Sequence, residues 1–424
     1  MKQPARHVPW RLPERMRRAL FTFALLGLLV ACGHAPVDPA VLDTSVTFNT
    51  TVIEELPLRA SYRIGINAEI TGAGAPIGDL GVRAARLAVE EINAAGGVNG
   101  MPLELVVRDC RSDPDEALAQ YRLALANDQL TALIGPFKSA YAVRIVPEHR
   151  QASLPMLIGA TNATLTEQGG PFLFRMRPSD RLTAAAMTAL AVEELGSRRV
   201  VIVHDADAFG SGGADGIEAG LRQRGLRPLA REAYRTGTRD FDGLARRVAE
   251  AGPDAVLIYG TNTTDVGLLL RALRYWQVAG AIITSPGGAS PVTYGIAAEA
   301  QDGIYVALDA LLAATPAGAR FERRFYERFG LKPDTYVAWY YDAIHLLAAA
   351  LERGPRGSEE LRAAIHDQTF AGVQGRYRFD RRGEGLHQVV LATMRGGQPR
   401  LVGLYGEGGL RRVSAERAGQ GGAP

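Results

Sequence analysis

Several short apolar runs of this sequence are followed by loops whose residues suit the binding of a small polar molecule. In open α/β sheets, ligands lie beyond the carboxyl ends of the strands, where helix N-termini and bare backbone amides point. Hydroxyl, amide and backbone groups in such loops supply hydrogen-bond donors and acceptors. We therefore predict ligand contacts from these loops: Phe137, Ser139, Ala160, Thr161, Asn162 and Asn262.

Several residues also have an ordinary structural alternative. Ser139 precedes a predicted helix and suits a plain N-cap, and Asn162 suits a local turn. Phe209 suits a buried core position. Lys138, beside Ser139, indicates either an anionic ligand or an exposed, solvated lysine.

Motifs of catalysis and of metal binding are missing. The glycines from Gly72 to Gly78 fail G-x-G-x-x-G because position 77 is Ile, and no G-x-S-x-G or S-x-x-K motif is found. The seven histidines form no H-E-x-x-H motif, and the two cysteines form no C-x-x-C. The pair His204 and Asp205 would need an activated nucleophile, for which Ser211 is the one candidate. We predict that the chain is not an enzyme and holds no cofactor and no metal.

The elements that position these loops alternate between strands and helices from residue 61 onward. Strands are predicted at 62–66, 103–107, 132–135, 155–158, 199–204, 255–259, 281–284, 375–379 and 388–393. Helices are predicted at 81–93, 114–127, 140–150, 183–195, 212–224, 241–251, 265–275, 335–353 and 359–366. Such alternation predicts parallel sheets covered by helices on both faces. The pattern runs through twice, which predicts an α/β protein with two doubly wound lobes.

The N-terminus has the pattern of a secretory signal peptide, with basic residues followed by an apolar run from 19 to 31. Thirteen helical residues rise only about 20 Å, too little to span a hydrocarbon core of about 30 Å. Leu29-Val30-Ala31-Cys32 resembles the bacterial lipobox, in which the cysteine is acylated and the chain is cut just before it. We predict a signal peptide over 1–31, a lipid on Cys32 and a tether over 32–60, with either Met1 or Met16 as the start.

Composition agrees with an exported, globular chain. Hydrophobic residues make up 47% and charged residues 22%, which is neither a disordered nor a membrane-spanning composition. The formal net charge of +3 and the dispersed arginines give no indication of nucleic-acid binding. With Cys32 acylated, Cys110 has no partner for an intramolecular disulfide.

The order of the motifs resembles one family over residues 62 to about 404. The stretch AVEEINAAGGVNG at 88–100 is the most specific match, and Ile134-Gly135-Pro136, Phe209-Gly210 and Tyr340-Tyr341-Asp342-Ala343 follow in order. The sequence resembles the leucine/isoleucine/valine-binding class of periplasmic binding proteins, which have the type I fold and feed ABC importers.

The resemblance implies two lobes joined by a three-segment hinge. Lobe one would comprise 61–174 plus 307–373, and lobe two 175–306 plus 374–404. Residues 405–424 would form a frayed tail, because glycine-rich composition predicts fraying. The implied partners are a small-molecule ligand, the ABC permease subunits, and a membrane through the Cys32 lipid.

The resemblance also implies roles for the loop residues. In the family, a serine at the position of Ser139 binds the ligand's carboxylate. A hydroxyl and main-chain groups at the position of Thr161 hold the ligand, and an aromatic ring at the position of Phe209 packs over it. Asn262 stands near a position that is often aromatic in the family. Members that bind amino acids place an acid after the strand at 281–284, whereas this chain has Ser285-Pro286-Gly287-Gly288. The resemblance therefore implies that Gly287 contacts the ligand at this position, without an acid.

That missing acid leaves the ligand open. A buried ammonium without a counter-charge costs several kcal/mol. Asp205, Asp207 or Asp265 can replace the acid only if one of them turns inward; otherwise the ligand lacks an α-ammonium. Two other classes of function stay open beside uptake: a ligand sensor or adaptor for a cell-envelope partner such as a cell-wall synthase, and an enzyme that turns over a bound metabolite.

Overall fold

The computed structural model describes residues 61–333 and 336–412. The predicted signal peptide, Cys32 and the tether lie outside the described residues. Within the described residues, no helix combines the length and the apolar character that crossing a membrane requires.

The first sheet is entirely parallel, with strand order β2-β1-β3-β4-β5. Its strands are β1 (Tyr62–Ala68), β2 (Leu103–Asp109), β3 (Ala132–Ile134), β4 (Met156–Ile158) and β5 (Leu173–Arg175). The chain order reverses between β1 and β3, so the loop after β3 lies at a topological switch point, where ligands of such sheets bind.

The second sheet has the order β15-β14-β13-β10-β9-β8-β6-β7. Its parallel strands are β6 (Val200–Asp205), β7 (Ala230–Tyr234), β8 (Ala255–Tyr259), β9 (Ala281–Thr284) and β10 (Tyr305–Leu308). Its antiparallel strands are β13 (Val389–Arg395), β14 (Gln398–Gly406) and β15 (Gly409–Arg412). β11 (Thr369–Ala371) and β12 (Arg376–Arg378) pair with each other apart from both sheets. Here the switch point lies between β6 and β8.

Helices cover both sheets. They are α1 (Ala75–Ala94), α2 (Pro114–Asn127), α3 (Ser139–His149), α4 (Thr164–Gln168), α5 (Asp180–Ala189), α6 (Ala208–Gln223), α7 (Asp242–Ala251), α8 (Thr263–Tyr275), α9 (Pro291–Ala297), α10 (Pro316–Phe329), α11 (Ala338–Glu352) and α12 (Ser358–His366). α1 begins six residues before its predicted start because Pro76 suits the first turn of a helix, where no backbone N–H is needed.

The apolar strands are buried because helices pack on both faces of each sheet. Every residue of β6 and of β8 is buried, as expected of central parallel strands. On one face of the second sheet, glycines of α6 let it approach α5 closely. A Cβ on Gly216 would lie 2.8 Å from the Ala184 methyl, and one on Gly220 would lie 3.0 Å from the Thr188 hydroxyl.

The predicted fold class is confirmed: the described chain forms two α/β lobes, and it passes between their sheets after β5, after β10 and before β13. The exact residues at which the lobes begin and end stay a prediction. Strand pairing and core packing place two of these boundaries later in the chain. β10 belongs to the second sheet through Leu308, later than the predicted change at residue 307. Tyr377, Phe379 and Leu386 pack in the core of the first lobe, so the third crossing follows Leu386, later than residue 374.

The predicted frayed tail, residues 405–424, is wrong for its first residues. β14 extends to Gly406, and β15 pairs with it from Gly409 to Arg412. The glycines here form the turn of a hairpin, with Gly409 at a φ of 79°. Residues 413–424 lie outside the described residues.

Candidate ligand-binding cleft

The first-lobe loops after β3 and β4 are joined at Ser139. Ser139 begins α3 and is only 2% exposed, and its hydroxyl oxygen accepts a hydrogen bond from the backbone amide of Asn162 at 3.2 Å. The N-cap of α3 is Lys138, which makes no capping hydrogen bond through its side chain. Ser139 is therefore not an ordinary N-cap, and its hydroxyl ties the two predicted loops together at the carboxyl edge of the first sheet.

Asn162 connects the first lobe to the second. Its side-chain amide donates to the carbonyl of Ala208 at the start of α6, 2.8 Å away. Its side-chain oxygen accepts from the backbone and the hydroxyl of Thr164, which is the turn-forming role considered from the sequence. Asn162 thus fills both roles, and its contact with Ala208 holds the lobes together at the cleft.

Ala160 and Thr161 form the buried part of the same loop. Ala160 is fully buried and Thr161 is 3% exposed. The Thr161 carbonyl accepts from the backbone amide of Asp180, which begins α5, at 2.8 Å. The loop is therefore anchored on the second lobe as well as on Ser139.

Phe137 packs against an aromatic residue that the sequence analysis missed. Its ring lies 5.5 Å from that of Tyr336 at an interplanar angle of 70°. The guanidinium of Arg177 lies 5.0 Å from the centre of the Phe137 ring and 5.1 Å from that of Tyr336, within the range of a cation–π interaction.

Arg177 is a buried cation at the hinge. It donates to the carboxylate of Asp309 at 2.5 Å and to the carbonyl of Gly159 at 3.1 Å. Arg177 follows β5 and Asp309 follows β10, so this ion pair joins two of the three crossings. The alternation of Arg175 and Arg177 with apolar residues in a buried stretch is the sequence signal that could have identified it.

Phe209 belongs to the core of the second lobe. It is 9% exposed, and its ring lies 4.7 Å from that of Tyr259. The Tyr259 hydroxyl donates to Asp180 at 2.9 Å. The structure therefore gives Phe209 the core role considered from the sequence, and its contact with a ligand stays a prediction.

Asp180 is a buried carboxylate of the cleft that the sequence analysis also missed. Burial raises the pKa of Asp180 to about 6, whereas hydrogen bonding with the side chains of Thr161 and Tyr259 and the charges of Arg175 and Arg177 oppose that rise. Its charge is thus partly compensated within the protein.

Asn262 acts as the N-cap of α8. Its side-chain oxygen accepts from the backbone amides of Thr264 and Asp265 at 2.9 and 3.4 Å. This capping role explains why an asparagine suits this position. The predicted contact of Asn262 with a ligand is a further role that stays a prediction.

Gly287 lies in a short 3₁₀ turn, Pro286–Ala289, where the resemblance implied an acid. A Cβ on Gly287 would lie 2.9 Å from the Tyr336 hydroxyl and 3.4 Å from the Gly260 carbonyl oxygen. Tyr336 therefore occupies the space that a larger side chain would need, and no carboxylate fits here in this arrangement.

Lys138 is not a free cation in the cleft. Its ammonium donates to the carboxylate of Glu69 at 2.8 Å, and the Tyr141 hydroxyl donates to the same oxygen at 2.7 Å. Glu69 is 4% exposed. The charge of Lys138 is balanced by this buried acid, which removes the argument that it attracts an anionic ligand.

The described residues contain no group of three or more His, Cys, Asp or Glu side chains arranged to hold a metal ion. Hydroxyl, amide and aromatic groups of the two lobes thus meet near the crossings between them.

Comparison with known proteins defines the class. Residues 61–398 match the family described as periplasmic binding protein, and the chain belongs to that family. Members of this family are extracytoplasmic binding proteins of transporters, not enzymes.

The chain is similar to individual members named for amino acids. It is 28% identical to an amino acid binding protein of Pseudomonas aeruginosa over 77% of this chain and 87% of that protein. The leucine-binding protein LivK of Thermotoga maritima is 26% identical, with a TM-score of 0.75, over 82% of this chain and 99% of that one. An ABC transporter substrate-binding protein of Desulfitobacterium hafniense, solved in complex with Leu, is 28% identical, with a TM-score of 0.69, over 80% and 99% of the two chains.

Proposed function

We propose that this protein captures a small polar molecule, an amino acid, an amide or a related compound, and delivers it to an ABC importer. The observation that carries this proposal is the pair of first-lobe loops joined by Ser139 and Asn162, from which Asn162 reaches the backbone of the second lobe. A ligand held by these loops contacts the surface at which the lobes meet.

We propose that Ser139 and Thr161 donate hydroxyl hydrogen bonds to a carboxylate of the ligand. Both side chains are nearly buried in the described structure. The N-terminus of α3, which begins at Ser139, adds a favourable partial positive charge. The likeness to relatives named for amino acids and leucine supports a ligand of this class.

Closure of the hinge is the proposed mechanism. A ligand shifts the equilibrium between open and closed forms only as far as its affinity for the closed form exceeds its affinity for the open form. Contacts made by both lobes meet this requirement, because they exist together only when the lobes are close. The permease would then recognise the closed form.

The ligand can be found by combining mass spectrometry of co-purifying molecules with a thermal-shift screen of amino acids, amides and carboxylates. A ligand present at 100 times its dissociation constant stabilises the folded state by about 2.7 kcal/mol, which gives a measurable rise in Tm. If no small molecule co-purifies and none raises the Tm, uptake is the wrong function and the adaptor alternative is favoured.

We expect Asn162→Ala to weaken ligand binding about 5-fold. The substitution removes the hydrogen bond to Ala208 that stabilises the closed form, and one such bond contributes about 1 kcal/mol. Isothermal titration calorimetry of the identified ligand measures the effect. Gln368→Ala is the matched control, because Gln368 also donates to a backbone carbonyl, that of Leu346, but within the first lobe; equal affinities of Asn162→Ala and wild type would contradict the role of Asn162 in closure.

We also propose that Cys32 carries the lipid that anchors the protein at a membrane surface, with 32–60 as the tether. We expect the wild type to enter the detergent phase of a Triton X-114 partition and Cys32→Ser to remain in the aqueous phase. Cys110→Ser is the control, since Cys110 is a buried, free cysteine of the folded part. Partition of Cys32→Ser into the detergent phase to the wild-type extent would contradict lipidation at Cys32.

A further inference from the structure

Three polar side chains lie together at the carboxyl edge of the second sheet, outside the ligand contacts proposed above. Asp205 ends β6, Tyr234 ends β7, and Asp265 lies in the first turn of α8. We call Asp205, Tyr234 and Asp265 the acid cluster. β6 pairs with β7 on one side and with β8 on the other, so the cluster lies at the switch point of this sheet.

Each member of the acid cluster has an oxygen without a hydrogen-bond partner among the described residues. Asp205 and Asp265 are 0% exposed and Tyr234 is 5% exposed, yet one carboxylate oxygen of each acid and the Tyr234 hydroxyl are unsatisfied. The other oxygens are used: Thr236 donates to Asp205 at 2.7 Å, and the Gly237 amide donates to Asp265 at 2.6 Å. Buried oxygens of this kind are costly unless something donates to them.

The charges of the acid cluster are poorly compensated. Burial is the main cause that raises the pKa of Asp205, to about 6; the hydrogen bonds from Thr236 and from the Asp207 backbone oppose the rise, and the charges of Asp207 and Asp265 add to it. Burial also raises the pKa of Asp265, which the hydrogen bond from the Gly237 amide and the charge of Arg239, an exposed residue, partly oppose. Asp180, in contrast, lies near two buried arginines. A bound cation would therefore stabilise the acid cluster more than it would stabilise Asp180.

The acid cluster adjoins the ligand-binding cleft through Gly260. A Cβ on Gly260 would lie 2.6 Å from the Tyr234 hydroxyl, so the backbone passes directly over that oxygen. The carbonyl oxygen of the same glycine lies next to Gly287 and hence to Tyr336 at the lobe boundary. Gly260 therefore lies beside both the Tyr234 hydroxyl and the lobe boundary.

We propose that the acid cluster receives a protonated amine of the ligand, in place of the acid that is missing at Gly287. A primary ammonium has three N–H donors, and the cluster offers three unsatisfied oxygens, two of them on carboxylates. This assignment rests on the proposed function, and it makes the ligand class an amine-bearing compound.

The test compares probes that differ only by the amine. Titration calorimetry with L-leucine and with 4-methylpentanoate, which is leucine without its amine, tests an α-ammonium. 6-Aminohexanoate paired with hexanoate, which differ by one terminal amine, tests a cation placed farther from the carboxylate. We expect at least one amine-bearing probe to bind the wild type at least 100-fold more tightly than its amine-free partner.

The variants Asp205→Asn and Asp265→Asn then locate the amine. Both keep an oxygen for Thr236 or Gly237, and we expect each to weaken binding of the amine-bearing probe at least 30-fold while affinity for the amine-free probe stays unchanged. Asp254→Asn is the matched control, because Asp254 accepts backbone hydrogen bonds at the opposite edge of the sheet. Since the substitution removes an uncompensated buried charge, we expect the urea midpoint of ligand-free Asp205→Asn at pH 7 to equal or exceed that of the wild type.

The outcomes separate this assignment from the proposed function. If an amine-free probe binds the wild type as tightly as its amine-bearing partner, the protein binds small molecules but the acid cluster receives no amine. If both variants bind the amine-bearing probe as tightly as the wild type does, the cluster is structural, and a lower urea midpoint with that unchanged affinity shows the same. If no small molecule binds the wild type at all, the proposed function fails and the assignment fails with it.

Discussion

Replacing Arg177 with methionine is expected to lower the free energy of unfolding by about 3–5 kcal/mol, because it leaves the buried carboxylate of Asp309 without its cation. Both side chains of this pair are only 3% exposed. The substitution also removes the hydrogen bond to Gly159 and the cation between the rings of Phe137 and Tyr336. Urea unfolding followed by circular dichroism measures the change.

Two further variants show whether the loss comes from the buried pair. Arg181→Met removes an arginine that pairs with Glu167 at the surface, where the arginine is 62% exposed, and should cost about 1 kcal/mol or less. Adding Asp309→Asn to Arg177→Met should restore part of the stability, because the unpaired charge is then gone. A loss for Arg177→Met no larger than that for Arg181→Met would show that the pair does not stabilise the hinge.

The double variant Ser139→Ala, Thr161→Val should weaken ligand binding at least 100-fold. Each hydroxyl is proposed to donate to the ligand's carboxylate, and a hydrogen bond to a charged group contributes about 1.5–3 kcal/mol, so two of them amount to about 3 kcal/mol or more. Ser139 also holds the Asn162 amide, so its loss loosens the second loop. Calorimetric titration of the identified ligand gives the affinity.

The control for this double variant is Ser358→Ala with Thr369→Val. Ser358 begins α12 and Thr369 lies on β11, both apart from the strand ends that line the cleft. We expect the control to bind like the wild type. If the cleft variant binds within about threefold of the wild type while folding normally, Ser139 and Thr161 do not hold the carboxylate.

The regular elements could be predicted from the sequence because burial on both faces of a parallel sheet leaves a simple pattern. β6 and β8 are continuous apolar runs that are buried throughout, and the predicted strands overlap the observed ones. Elements with weaker patterns were harder. β11 is three residues long and partly exposed, and it was not predicted. β15 follows a glycine-rich turn, and that composition predicts a frayed tail instead of a strand.

The cleft could be predicted in part. Loops at strand ends are set by the order of strands along the chain, so the positions of Ser139 and Asn162 followed from the pattern. Contacts between residues far apart in sequence could not be deduced, since nothing local in the sequence joins Arg177 to Asp309 or Gly287 to Tyr336. Lys138 shows the same limit: its charge is balanced by Glu69, which lies 69 residues earlier in the chain.

Native mass spectrometry of protein purified from its own host, under non-denaturing conditions, tests the central claim most directly. The account predicts that the wild type carries one small molecule per chain and that the Ser139→Ala, Thr161→Val variant, purified in the same way, carries little or none. A wild-type protein without any bound small molecule, or a double variant that carries it to the same extent, would contradict the claim that this cleft captures a solute.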